Sequence, residues 1–228
     1  MFISYRTMTT ALIIFFTLCI FPLSQLLKVQ HVFARLQPLS GKVIVIDPGH
    51  GGIDGGCNRG GILEKNINLS VALTLRKKLE NAGATVFMTR ETDTALDHLN
   101  NKNPYRHKRD LIARVDIINQ HKPDIFLSLH VNSGNSKSRG AIVFFSSKNP
   151  ESKKLAQPIQ DYLNELTGQV NTSLTGDFYI LRNAASPGVL IEMGFISNPQ
   201  EANLLQDKTY QSKLADAILS GVMYYFLN

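Results

Sequence analysis

Only two cysteines, Cys19 and Cys57, occur in the 228 residues. Cys19 falls within an N-terminal apolar stretch, so neither a disulfide framework nor a cysteine-built zinc site can be assembled. Basic residues are nowhere gathered. The net charge is +6, yet there is no arginine-rich arm and no interleaving of aromatic with basic residues. Phosphate backbones require cations concentrated on one face, which argues against a nucleic-acid partner. The glycine-rich run GHGGIDGGCNRGG has neither the G-x-G-x-x-G spacing nor G-x-x-x-x-G-K-[ST]; Gly61 stands where the lysine is required. A nucleotide-phosphate cradle is therefore disfavoured. Internal repeats and low-complexity tracts are also missing. With 43% hydrophobic and 18% charged residues, the chain has the composition and length of one ordinary folded domain.

The clearest feature present is at the start. From Thr7 to Leu27 no residue is charged, Arg6 precedes the run, Lys28 follows it, and the centre reads ALIIFFTLCIF. A charged start and an apolar middle make residues 1–27 an export segment, removed as a signal peptide or kept as a membrane anchor. Pro22 interrupts the centre, but with its flanking Thr and Ser residues the run reaches the ~20 residues of a membrane span. Residues 28–40 read as a linker and 41–228 as the catalytic domain. This places the protein on the extracytoplasmic face of the membrane.

Beyond Gly41 two periodicities alternate. KVIVID reads as a strand buried on both faces, and the following segment carries Ile67, Val71, Leu75 and Leu79 at helical spacing, stopped by Gly83. ATVFMTR, DIFLSLH, GAIVFFS, DFYIL and GVLIEM read as further strands. YRHKRDLIARVDIINQH, SKKLAQPIQDYLNEL and the C-terminal segment, with Leu214, Ala217, Ile218, Gly221 and Val222 along one side, read as helices. The expected fold is α/β, a mostly parallel twisted sheet with helices on both faces in a single domain.

In such a sheet ligands bind outside the carboxyl ends of the strands. His50 follows the first strand, His130 ends another, and Glu192 lies at the end of GVLIEM. A metal accounts for more of these residues than a phosphate does. Imidazole and carboxylate are suitable zinc ligands, a catalytic zinc takes three of them, and Glu64, opening the first helix, can supply the carboxylate. The glycines would let the loop fold back so that His50 and Glu64 meet.

VIDPGHGGIDGG, the glutamate of GILEKNINL, FLSLHVN and VLIEMGFISNPQEANLL resemble, in that order, the motifs of the zinc-dependent N-acetylmuramoyl-L-alanine amidases. The resemblance covers nearly the whole chain from Gly41. It implies one zinc held by His50, Glu64 and His130, with Glu192 as catalytic acid/base. It also implies peptidoglycan as substrate, cleaved at the amide between N-acetylmuramic acid and L-alanine. Asp47, three residues before His50, is a candidate to orient a ligand from behind. Some family members plug the site with an inserted helix between the second zinc histidine and the catalytic glutamate, and the interval here has little room for one. A minimal, anchored, unplugged chain resembles the germination-type amidases of spore formers, which help make muramic-δ-lactam in spore cortex. An activating protein partner is compatible with this, but no sequence feature names one.

Two other classes share the same inventory: a zinc peptidase or deacetylase acting on another wall bond, and a non-catalytic wall-binding module, which a complete ligand set with a spare glutamate disfavours. His31, His98, His107 and His121 read as solvated, Glu91 to Pro104 as a polar exposed loop, and Met193 and Phe195 as core.

Overall fold

The structure, a computed structural model, describes Phe15 and residues 37–228. Apart from Phe15, the expected export segment and the linker up to residue 36, His31 included, lie outside the described residues. Leu39 is fully buried and its amide donates to Ala82 O at 2.9 Å, so the compact unit spans Leu39–Asn228 and opens two residues ahead of Gly41. Among the described residues no helix is long and apolar enough to cross a membrane.

Strand β1 (Val43–Pro48) leads through a small hairpin, β2 (Asn58–Arg59) and β3 (Ile62–Leu63), into α1 (Glu64–Asn81) and then β4 (Thr85–Met88). After these come α2 (Arg106–His121), β5 (Ile125–Asn132), β6 (Ile142–Phe145), α3 (Pro150–Thr167), β7 (Leu174–Thr175), α4 (Tyr179–Asn183), β8 (Gly188–Phe195), α5 (Pro199–Gln206) and α6 (Lys208–Leu227). The main sheet runs β4-β1-β5-β8-β6-β7 and is parallel except where β6 meets β8. The mostly parallel α/β expectation therefore holds.

Strand periodicity sorts side chains between the two faces. Ile44, Ile46, Ile125, Leu127, Leu129, Val189 and Ile191 pack into one large apolar core with residues of α1, α3 and α6. Val45, Phe126 and Leu190 point the other way and meet Val115 and Ile118 of α2 and Ile180 and Leu181 of α4 in a smaller cluster. Asp47, Ser128, His130 and Glu192 continue that second set along β1, β5 and β8, towards the carboxyl ends of the strands.

DFYIL is not a strand. β7 already takes the place beside β6, pairing Leu174 with Phe144, and the chain must then cross to β8 over the α2 face. One helical turn, α4, makes that crossing and buries the consecutive pair Ile180 and Leu181, which a strand would send to opposite sides. The β2–β3 hairpin and α5 were likewise not anticipated. Asn198 caps α5 by accepting from the amides of Gln200 and Glu201, ahead of Pro199 in its first turn. His121 is not simply solvated: its ring stacks on Phe87, centroids 3.8 Å apart. His98 and His107 are exposed, and Met193 and Phe195 are buried core residues.

Candidate metal centre

β1 delivers the chain to its carboxyl edge, where the amide of Gly49 still donates to Leu129 O at 2.9 Å. The ladder ends there. His50 adopts the left-handed conformation, φ 62°, which costs a residue with a Cβ about 1–2 kcal/mol and throws its ring back towards α1. Glu64, the first residue of α1, meets it: His50 Nε2 lies 3.2 Å from Glu64 Oε1, and His130 Nδ1 lies 2.9 Å from the same oxygen. The imidazoles stand edge to face at 79°, centroids 5.0 Å apart. Among the described residues these three form the one cluster of potential metal ligands, with donor atoms within 4.8 Å of one another.

The surroundings fix Glu64 as an anion. Burial favours its neutral form, but hydrogen bonds from His130 and His50, and then their charge, outweigh that and hold the carboxyl well below the usual range. The Val131 amide (3.0 Å) and Asn68 Nδ2 (3.2 Å) donate to Oε1, and the Cys57 amide donates to Oε2 at 2.8 Å. Burial alone would pull the His50 imidazole down; its contacts with Glu64 and then Asp54 reverse this and push it up to about 9. Asp54 Oδ2 is 2.9 Å from His50 Nδ1, close enough to pair electrostatically but off the N–H axis, so Nδ1 has no aligned acceptor. Close approach explains two of the glycines: a Cβ at Gly49 would strike the His130 ring at 2.2 Å, and one at Gly56 would strike Glu64 Oε2 at 2.5 Å.

Glu192 stands apart from this cluster and beside it. β8 pairs it in register with His130 of β5. Its Oε2 is buried without a hydrogen-bond partner. Burial pushes its carboxyl up to about 7, with His130 pulling down and Glu64 pushing up. Both groups open into a cleft of about 610 Å³, walled on one side by Phe178, Tyr179 and Ile180. α4 thus forms a side wall and not a plug, since the His50 and His130 side chains keep about a fifth of their surface exposed (22% and 20%). Cys57 also borders the cleft, but burial and the neighbouring Glu64 push its thiol up to about 11, which keeps it protonated.

Asp47 touches no histidine. It is buried between Thr89 Oγ1 (2.6 Å), Ser128 Oγ (2.7 Å) and Arg114 Nη1 (2.7 Å). Burial opposes its charge, but Arg114 and the two hydroxyls hold the carboxyl below its ordinary range. The structure brings His50, Glu64, His130 and Glu192 together at one edge of the sheet, and sets beside them Asp54, Arg90 and Arg114, which the sequence reading does not single out. Asp54 had a local signal, a carboxylate four residues after His50. The loop from Glu91 to Pro104 is also more than an exposed connection: Asp93 Oδ1 accepts from the Gly52 amide at 2.8 Å, and Lys65 Nζ bridges Asp93 to Gly52 O.

Comparison with known proteins reaches the same region. A family model described as N-acetylmuramoyl-L-alanine amidase matches residues 44–224. The germination-specific N-acetylmuramoyl-L-alanine amidase of Bacillus subtilis is 44% identical over 194 residues, covering 83% of this chain and 81% of the relative. The amidase AmiA of Escherichia coli is 30% identical over 253 residues, covering 89% and 83%. Among solved structures, the CwlD amidase of Clostridioides difficile superposes with a TM-score of 0.75 at 38% identity, over 81% of this chain and 98% of that one.

Proposed function

Since the chain belongs to the N-acetylmuramoyl-L-alanine amidase family, we propose that it is a zinc-dependent hydrolase of the muramoyl–L-alanine amide in spore-cortex peptidoglycan, working on the extracytoplasmic side. The observation that carries this reading is the position of Glu192, whose Oε2 is buried without a hydrogen-bond partner, alongside a converging His–Glu–His set.

The donor set suits a divalent cation. Two imidazole nitrogens and one carboxylate oxygen, separated by 2.9 and 3.2 Å along the measured edges, are near the roughly 3.3 Å edge of a tetrahedron built on metal–ligand bonds of ~2.0–2.1 Å. His50, Glu64 and His130 would hold the ion. When bound, zinc supplies Lewis-acid polarisation of the scissile carbonyl and makes water more acidic. The remaining work belongs to the protein. Val131, Asn68 and Cys57 fix the Glu64 carboxylate, so it cannot turn away from the two rings. Glu192, whose carboxyl sits at about 7, accepts a proton from the attacking water and returns it to the L-alanine amine as the C–N bond breaks. The products are a lactyl carboxylate on the sugar and a peptide with a free amino terminus.

Residues 1–27 would hold the enzyme at the membrane. The Clostridioides difficile relative was solved with the GerS lipoprotein, and a lipoprotein is the kind of partner that an anchored, exported amidase meets. The cortex role rests on likeness to the germination-specific relative. Digestion of isolated wall separates the chemistry: mass spectrometry should find intact stem peptides with a free L-alanine terminus and peptide-free muramic acid. Shortened peptides or deacetylated sugars would instead assign the enzyme to another bond. In the source bacterium, deletion should remove muramic-δ-lactam from the cortex.

A further inference from the structure

The loop that carries His50 has a problem its own backbone cannot solve. Past Pro48 it leaves the sheet ladder, and the carbonyls of Pro48, Gly49 and His50 turn towards the protein interior, where each needs a donor. Two buried arginines, each only 3% exposed, supply them. Arg90 Nε and Arg114 Nη1 both donate to Pro48 O at 2.9 Å. Arg90 Nη2 donates to Gly49 O at 2.9 Å, and Arg114 Nη2 to His50 O at 2.6 Å. We infer that Arg90 and Arg114 are positioning residues of the metal centre: together they grip three successive carbonyls and hold His50 in the left-handed conformation that brings its ring to Glu64. The inference rests on the reading of His50, Glu64 and His130 as a zinc site.

Each guanidinium is itself anchored. Arg114 is held by Asp47 at 2.7 Å and by Asp110, one turn earlier on α2, at 2.6 Å; Asp110 in turn accepts from the Leu96 amide at 2.7 Å. Thr89 and Ser128 pin Asp47, so the ion pair cannot swivel. This gives Asp47 its part: it acts on the ligand loop through Arg114 and not by touching a histidine. Arg90 makes a different link. Besides Pro48 and Gly49 it donates to Lys65 O at 3.0 Å and Thr92 O at 3.0 Å. Lys65 follows Glu64, so one side chain ties the His50 loop to the first turn of the helix bearing the second ligand. The five donors of a planar guanidinium are spread over three nitrogens in fixed directions and reach four carbonyls here, whereas the three donors of a lysine ammonium sit on one nitrogen and cannot span them.

Arg109 is the internal control. It too donates to backbone carbonyls, those of Asp97, Asn103 and Pro104, but none belongs to the ligand loop. The experiment uses the full 228-residue chain in detergent, as wild type and as Arg90→Lys, Arg114→Lys and Arg109→Lys, each verified as folded by circular dichroism. Zinc affinity is measured by competition with a chromophoric chelator, and ligand geometry by the visible spectrum of the Co²⁺-loaded chain. Groups that orient metal ligands from behind typically contribute 10- to 100-fold in affinity. Arg90→Lys and Arg114→Lys should therefore each bind zinc at least ~10-fold more weakly, with an altered cobalt spectrum, while Arg109→Lys matches wild type in both. Arg114→Lys leaves Asp47 facing a shorter cation and is the variant most exposed to misfolding. Arg90, which donates only to carbonyls, decides the question in its place. Wild-type affinity and an unchanged spectrum in Arg90→Lys would overturn the inference. Failure of the wild-type chain itself to bind zinc would overturn the reading of the centre, and this inference with it.

Discussion

The two faces of the sheet are built from the same strands and do different work. On one, α1, α3 and α6 cover Ile44, Ile46, Leu127, Leu129 and Ile191 completely, in a mainly apolar packing where the buried Gln160 is hydrogen-bonded to the Val143 amide and Ala141 O. On the other, α2 and the single turn of α4 cover Val45, Phe126 and Leu190. Beyond them the same strands continue into Asp47, Ser128, His130 and Glu192, around an open cleft. Stability is concentrated where helical cover is complete. Chemistry lies where the cover stops short of the strand ends, because only there do polar groups retain access to solvent and substrate.

The comparison breaks most sharply at the ligands. His50→Ala and His130→Ala should each lose zinc and nearly all hydrolysis, a fall of at least ~1000-fold, while the fold survives, since the apolar face is untouched. Metal analysis and circular dichroism of the purified variants check this; full zinc occupancy in both would refute the ligand assignment. A cut on the opposite face inverts the outcome. Leu127→Ala should cost about 2–5 kcal/mol of unfolding free energy and leave turnover per folded molecule within about twofold, read by denaturant melts alongside activity assays.

The Glu192→Gln change sharpens the comparison within the cleft. Zinc content should stay near wild type while hydrolysis falls at least ~100-fold, ~2.7 kcal/mol of barrier. Loss of zinc in this variant, with retention in Glu64→Gln, would mean the two glutamates had exchanged roles. The smallest expected effect is on stability and has the opposite sign. Because the fold raises the Glu192 carboxyl from 4.5 to about 7, the folded chain binds that proton more tightly than the unfolded one. Its contribution is intact below pH 4.5 and is lost as pH rises through 7. In metal-free protein, Glu192→Gln should therefore be neutral at pH 4 and stabilising by about 1–3 kcal/mol at pH 8. Melts at the two pH values measure it, and equal stability of both proteins at pH 8 would remove the burial cost attributed to the charged Glu192 carboxyl.

Local pattern carried much of this. Alternating Val and Ile identified β1, the i, i+4 spacing of Ile67, Val71, Leu75 and Leu79 identified α1, and the strand ends located His50, His130 and Glu192. DFYIL misleads because a run of aromatic and β-branched residues suits a strand only where a neighbouring edge is free, and β7 takes that place. The start of α5 is legible in Asn198 and Pro199, a capping side chain followed by a first-turn proline.

The sequence by itself determined most of the longer strands and helices and which residue types could ligate a metal, since both depend on interactions within a few residues or on the chemistry of single side chains. Only the tertiary structure decided which charge meets which. Asp47 stands three positions from His50 yet pairs with Arg114, 67 residues on, and Arg90 reaches back 41 residues to Gly49. Those partners are chosen by the strand order β4-β1-β5-β8 and by which face each residue of β1 presents. An ion pair in a dry interior forms between groups that the packing brings within about 3 Å, and no spacing along the chain encodes that distance.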